Sequence, residues 1–233
     1  MMRPSLAAAL ATAALLSPAT GGAQSLGSRL VDRFHPAASV VTAVADHRVD
    51  ASLGFERTAG PLFGVQLEAI PLEGTLIALR AVGGTLSARS PAADERDMGE
   101  IAAIGRMRLL RWLDARGAIT TRTFSSPLAR QRWTSVSLGP DLRMTMLDGR
   151  IEGTAGAQLL PIVHISRHSS PDLGVAASMG IRHVSHRYIL ALAYQLERFD
   201  FASVAGERRI EEHSMLVLRA GYRFGKASTP TPD

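Results

Sequence analysis

The chain has 233 residues, of which 46% are hydrophobic and 20% charged, with a formal net charge of +5; this length suits one all-β barrel or sandwich, folds that run to roughly 200–250 residues as one domain. It contains no cysteine, which excludes disulfides, thiolate metal sites, cysteine nucleophiles and a lipid anchor on an acylated cysteine. The positive charge is nearly all arginine, Lys226 being the only lysine, and the arginines are scattered singly, so nucleic acid is not an expected partner.

At the N-terminus, Arg3 supplies a positive start, Leu6 to Leu16 an apolar run, and Gly21-Gly22-Ala23 the small residues a signal peptidase needs. Residues 1–23 therefore read as a cleaved signal peptide, with Gln24 first in the mature chain. The apolar run is shorter than the roughly 18 residues of a spanning helix, and no later run reaches that length. A mature protein of this kind is either periplasmic or a barrel. Residues 24–46 read as a lead-in segment, 47–224 as the barrel and 225–233 as a polar C-terminal tail.

From Val49 the chain alternates apolar and polar residues with period two, the signature of transmembrane strands. Val49, Ala51, Leu53 and Phe55 oppose Asp50, Ser52, Gly54 and Glu56; Phe63, Val65, Leu67 and Ala69 oppose Gly64, Gln66 and Glu68. In Thr75 to Val82, the phase with Ile77, Leu79 and Ala81 outward puts Arg80 inside, avoiding the roughly 2–4 kcal/mol cost of a cation facing lipid near the midplane. Ile101, Ala103, Met107 and Leu109 face away from Glu100, Arg106 and Arg108, as do Leu113, Ala115 and Ile119 from Asp114, Arg116 and Arg122. Thr134 to Met146 alternates against Ser135, Ser137, Asp141 and Arg143, with Pro140 implying a bulge or bend. Next, Ile151 to Leu159 opposes Glu152 and Gln158, Leu173 to Ile181 opposes Ser178 and Arg182, and Tyr188 to Leu196 opposes Arg187, Gln195 and Glu197. Finally Leu216, Leu218, Ala220, Tyr222 and Phe224 alternate with Arg219 and Arg223, completing ten candidate strands.

The links between them alternate in length. Pro71 to Gly74, Arg111-Trp112, Leu147 to Arg150 and Ser185-His186 are tight, and Asp148-Gly149 suits a type I′ hairpin. Ser87 to Met98, Ser125 to Gln131, Ile165 to Pro171 and Arg198 to Glu212 read as longer polar loops, and only Arg57 to Pro61 is short in a long-loop position. Short turns on one side and long loops on the other are the habit of outer-membrane barrels. The expected fold is an antiparallel up-and-down transmembrane β-barrel of about ten strands, with eight as the alternative.

The terminal pattern Leu216-x-Leu218-x-Ala220-x-Tyr222-x-Phe224 resembles the last strand of bacterial outer-membrane β-barrel proteins, although here Gly225 to Asp233 follow the aromatic residue. The resemblance implies a Gram-negative outer-membrane location and recognition of these five residues by the barrel-assembly machinery. Aromatics are only 5%, so the interfacial girdle, drawn from Trp112, Trp133, Tyr188, Tyr194, Phe199, Phe201, Tyr222 and Phe224, is sparse.

Function is expected from the inward face, with Arg106, Arg108, Arg116, Arg122, Arg143, Glu152, Arg182, Glu197, Arg219 and Arg223 as its principal charges. In a barrel this narrow, mutual pairing outweighs conduction as their use; excess arginine also suits a narrow anion-preferring, porin-like pore. His164-x-Ser166 resembles the His-x-Ser-Asn motif of outer-membrane lipid A deacylases, with Arg167 in place of the asparagine. His164 and His168 make no closed metal site, and His183 and His186 fall at the opposite membrane side, which discourages one joint site. No cofactor is expected. The leading reading is a structural or loop-binding barrel whose partners are outer-membrane lipid and an unidentified extracellular ligand, ahead of a pore and then a lipid hydrolase.

Overall fold

A computed structural model describes residues 34–52, 54–126, 130–166, 169–185, 187–204 and 207–224. The signal segment, the polar tail, Leu53, Arg167, His168 and His186 lie outside the described residues. The described residues form ten antiparallel strands: β1 Ala37–Ala51, β2 Gly54–Ala69, β3 Thr75–Ala88, β4 Arg96–Leu110, β5 Leu113–Ser125, β6 Arg130–Met146, β7 Ile151–Ile165, β8 Leu173–Val184, β9 Tyr188–Val204 and β10 Glu207–Arg223. Each strand pairs with its neighbours in sequence, and β1 pairs with β10 from Ala37↔Arg223 to Ala51↔Arg209, closing the barrel.

Two expectations fail at the N-terminal end. The segment expected as a lead-in contains most of β1, and the expected strand Val49 to Glu56 is divided between β1 and β2. Val49 and Ala51 share the inward phase of His47, whereas Asp50 and Phe55 are exposed outside. The physical reason lies in β1 itself: Val41, Ala43 and Ala45 are buried inside while Val40 and Val44 are exposed outside, so both faces are apolar and alternation is hidden.

The strands are also longer than the roughly 9–11 residues needed to cross a bilayer. The stretch Arg198 to Glu212, expected as a long loop, is mostly the ends of β9 and β10, and Arg57 to Pro61 is an uninterrupted part of β2. The extra residues all lie at the long-loop end. At the other end, Arg150 N–H donates to the Leu147 carbonyl at 3.1 Å, and Asp148 and Gly149 both have positive φ, as the expected Asp-Gly hairpin requires. The same end ties Phe34 and Pro36, just before β1, to their neighbours, with Ile70 N–H donating to Phe34 O and Phe224 N–H to Pro36 O.

The expected irregularity at Pro140 falls instead on β7. Val136 pairs with Ile162 and Leu138 with Leu159, so β7 carries one extra residue there, next to Pro161. The facing shows it: Leu160 is buried, Pro161 and Ile162 are both exposed, and Val163 is buried again. A second local device bends β2 against β3. A Cβ on Gly60 would fall on the Thr85 carbonyl oxygen and one on Gly84 on the Pro61 carbonyl oxygen, so only glycine lets these backbones approach.

Outside, the barrel presents a continuous apolar belt, including Val44, Phe63, Leu79, Ile101, Leu138 and Met179. On the last strand it runs from Leu216 to Phe224, which at about 3.3 Å per residue and a tilt near 45° covers roughly 20 Å, close to the 25 Å band of transmembrane barrels. Tyr188, Tyr222 and Phe224 form edge-to-face pairs at the short-turn end, with centroids 5.8 and 5.4 Å apart, beside exposed Trp112 elsewhere on the same rim. Towards the long loops the belt stops at Asp46, Arg57, Asp97, Arg132, Arg198 and Glu212.

In β9, Leu192 is 41% exposed and Ala191 only 9%. Ala191 lies in register with Arg182 on one side and Arg219 on the other. Leu192→Arg is expected to cost about 2–4 kcal/mol in lipid, whereas Ala191→Glu, which sets a carboxylate between two guanidinium groups, costs less. Reversible urea unfolding in lipid vesicles measures both, and a Leu192→Arg variant as stable as the parent would contradict this facing.

Candidate functional site in the barrel interior

The inward side chains fall into three layers because the strands carry different residues at successive heights. Nearest the long loops, β5, β6 and β9 contribute Phe124, Trp133, Phe199 and Phe201, all buried. Trp133 meets Phe199 at a centroid distance of 5.0 Å and Phe201 at 6.2 Å, while His47 stacks on Phe124 at 4.7 Å. Leu62, Leu86, Met98, Leu160, Ile165 and Met215 fill the space around them. Trp133, Phe199 and Phe201 thus belong to the interior and not to the girdle in which they were expected. Extending the alternation of Tyr188 to Leu196 by a few residues puts Phe199 and Phe201 on the inward phase; reading a loop from Arg198 removed that signal.

Beneath this layer lies a buried charge cluster. Glu100, 2% exposed, accepts hydrogen bonds from Arg80 at 2.7 Å and from Arg122 at 2.6 and 3.0 Å. Arg122 also donates to Glu197 at 2.9 Å and Arg80 to Gln195 at 3.2 Å, so β3 and β5 are tied across the interior to β9. His47 and Glu211 form a further buried pair at 3.0 Å, with Arg209 on the other carboxylate oxygen. Each carboxylate in this cluster has a cationic partner. That matters because a charge taken out of water without one costs several kcal/mol even after relaxation.

The third layer faces the short turns. Arg219 pairs with Glu68, Arg182 donates to both oxygens of Glu152 at 3.2 and 3.1 Å, and Arg143 donates to Asp114 at 2.9 Å. Arg106 reaches Asp141 at 3.4 Å, Glu152 at 3.9 Å and Asp114 at 4.0 Å; Arg116 donates to Ser178 at 3.1 Å and lies 3.8 Å from Asp141. Arg108 and Arg223 take the same inward phase at the short-turn mouth, where Arg108 is exposed and Arg223 half-buried. The other eight principal charges of the sequence reading come together in the second and third layers.

The open space follows these layers. A cavity of about 120 Å³ lies among the third-layer arginines, a smaller one of about 30 Å³ lies beside Arg80, Gln195 and Glu197, and no water-sized space lies between His47, Phe124, Trp133 and Phe199. Among the described residues, the interior is a vestibule towards the short turns and is filled towards the long loops.

Among the described residues the histidines of these motifs stand apart. His164 is exposed on the outer face of β7, and Ser166 Oγ accepts the Arg132 N–H at 2.9 Å. His183 lies at the opposite end of the barrel, and among the described residues no three His, Asp or Glu side chains are grouped to hold a metal. Sequence reasoning overlooked His47 because it lies in the unrecognised β1, Glu211 because it fell inside the loop assigned from Arg198 to Glu212, and His213 because it lay between that loop and the strand assigned from Leu216.

No protein-family model matches the sequence, and no curated protein does. The fold is similar to that of the outer membrane protease OmpT from Escherichia coli, with a TM-score of 0.52 and 9% identity over 82% of this chain and 98% of that one. The translocator domain of the autotransporter NalP from Neisseria meningitidis aligns at 0.41 with 14% identity, over 93% and 98%. Ail, the attachment invasion locus protein of Yersinia pestis, aligns at 0.33 with 12% identity, over 82% and 99%. The chain has the fold of outer-membrane β-barrel proteins, and at such identity the likeness extends to the fold alone.

Replacing Glu100 with glutamine leaves Arg80 and Arg122 facing each other without their shared carboxylate. Removing one partner of a buried pair typically costs about 3–5 kcal/mol, so Glu100→Gln is expected to lower stability by that order. Arg198→Gln, at the solvated rim, changes it little. Urea unfolding in vesicles compares the two.

Proposed function

We propose that the chain is a closed outer-membrane barrel of a Gram-negative-type bacterium that acts through its long-loop end and conducts no solute. The observation that carries this reading is the blind interior: an aromatic layer lies directly on a paired charge cluster, with no water-sized space between His47, Phe124, Trp133 and Phe199. Conduction requires a continuous water path, which charge alone does not supply. The apolar belt supports the membrane location, since a soluble monomer rarely exposes a contiguous apolar patch beyond roughly 300–600 Å².

The long-loop end supplies the surface for binding. There the β1–β2 and β9–β10 hairpins rise beyond the belt and present paired charges outward, with Arg57 on Asp46 at 2.9 Å and Arg198 on Glu212 and Asp200 at 3.4 Å each. Phe55 stands exposed beside them. An external ligand of unidentified chemistry is the proposed partner. During biogenesis, the outward row from Leu216 to Phe224 is the proposed recognition element for the assembly machinery, and export through a signal peptide cleaved after Ala23 precedes it. The anion-preferring pore is the second reading, favoured by the arginines of the vestibule and opposed by the layer that closes it.

Refolded protein in planar bilayers is expected to give no stepwise current at any polarity. A reproducible anion-selective conductance would overturn the closed-barrel reading in favour of the pore.

A further inference from the structure

The vestibule carries positive charge that its own carboxylates do not fully meet. Among the described residues, and apart from the Arg209–Glu211 pair, seven interior arginines share six carboxylates across the second and third layers. Arg108 and Arg223 add to the excess at the mouth. The shortfall is concentrated at Arg106 and Arg116. Neither has a carboxylate oxygen closer than 3.4 Å, and Arg116 is held mainly by a neutral hydroxyl, that of Ser178. The Nε donors of Arg80, Arg106 and Arg116 are all buried without a hydrogen-bond partner, Arg106 Nε lying 4.0 Å from Asp114, and all three side chains line the same cavity. Arg80 is itself 7% exposed.

Buried donors are almost always satisfied, and one left alone costs about 1–3 kcal/mol. Three around one polar cavity call for acceptors there, and the excess of arginine favours one that bears negative charge. A water needs about 10–15 Å³ of such space, so a cavity of about 120 Å³ accommodates several waters or one small oxyanion with residual hydration. Guanidinium forks match the geometry of tetrahedral oxyanions through paired N–H donors, and Ser178 and Gln195 offer neutral donors on the same wall.

We infer that the vestibule is a binding site for a small oxyanion of the phosphate or sulfate class, held by Arg80, Arg106 and Arg116. The ligand enters from the short-turn mouth, where Arg106 and Arg182 retain 24% and 22% side-chain exposure, because the aromatic layer blocks the other end. In the proposed membrane orientation that mouth opens to the periplasm, the side on which such barrels carry their short turns. The site does not depend on conduction or on the external rim.

The test is isothermal titration calorimetry of the refolded barrel in a phosphate-free maltoside detergent, with inorganic phosphate and then sulfate added at ionic strength held constant by chloride. Saturable binding near one equivalent is expected for the parent. Arg116→Gln is expected to bind at least tenfold more weakly, and Arg132→Gln, exposed on the outer face of β6, to bind as the parent does. Ala191→Glu serves where removal of an arginine compromises folding: it adds a carboxylate to the cavity wall between Arg182 and Arg219 and is expected to suppress binding by at least tenfold. Absence of saturable heat in the parent would overturn the site. So would undiminished binding in folded Arg116→Gln or Ala191→Glu, which would place the anion on surface arginines instead.

Discussion

Closure of the sheet between β1 and β10 is the constraint on which everything else depends. Hydrocarbon offers no partner to a backbone N–H or carbonyl, so a spanning sheet must leave no edge. The fifteen-residue register from Ala37↔Arg223 to Ala51↔Arg209 removes the last edge. Once the ring is closed, the two-residue pleat sends alternate side chains to opposite solvents. Leucine, valine and isoleucine line the belt, and arginine and carboxylate share the interior. Glycines at Gly60 and Gly84, and the extra residue beside Pro161, supply curvature without opening the ring.

The closed ring then sets an electrostatic problem inside. Ten strands enclose a space too narrow for bulk water, so each charged side chain must find its counter-charge within the wall or across it. The ties from Arg80 and Arg122 on β3 and β5 to Gln195 and Glu197 on β9 are therefore structural struts as well as neutralising contacts. Above them hydrophobic side chains complete the filling; below them the packing loosens and the arginines outnumber their partners. The barrel is thus densely packed towards the long loops and more open towards the short turns, a division that follows from the order of residues along β5, β6 and β9.

Much of this order was legible in the residues. Wherever lipid lies on one side and charge on the other, as from Phe63 to Ala69 or Tyr188 to Leu196, the alternation reveals strand and facing together, and it placed Arg80 inside. It is silent where both faces are apolar, as in β1 with Val40 and Val44 outside and Val41 and Ala43 inside. It also weakens beyond the membrane, where water bathes the outer face and both faces become polar; the ends of β9 and β10 then look like loop. That weakness concealed Phe199, Phe201 and the His47–Glu211 pair. Pairing partners were beyond reach as well, since Arg122 and Glu197 are 75 positions apart and meet only after closure.

The central claim is the division between a lipid-facing exterior and an occupied interior, and the absence of native cysteine allows it to be measured one residue at a time. Single cysteines from Ile189 to Leu196, each carrying a nitroxide in vesicle-reconstituted protein, report collision with oxygen from the lipid against a water-soluble nickel chelate. The account predicts oxygen accessibility that peaks at Leu190, Leu192, Tyr194 and Leu196, with labels at Ile189, Ala191, Ala193 and Gln195 shielded from oxygen. Accessibility without a two-residue period, or with maxima at the odd positions, would contradict it.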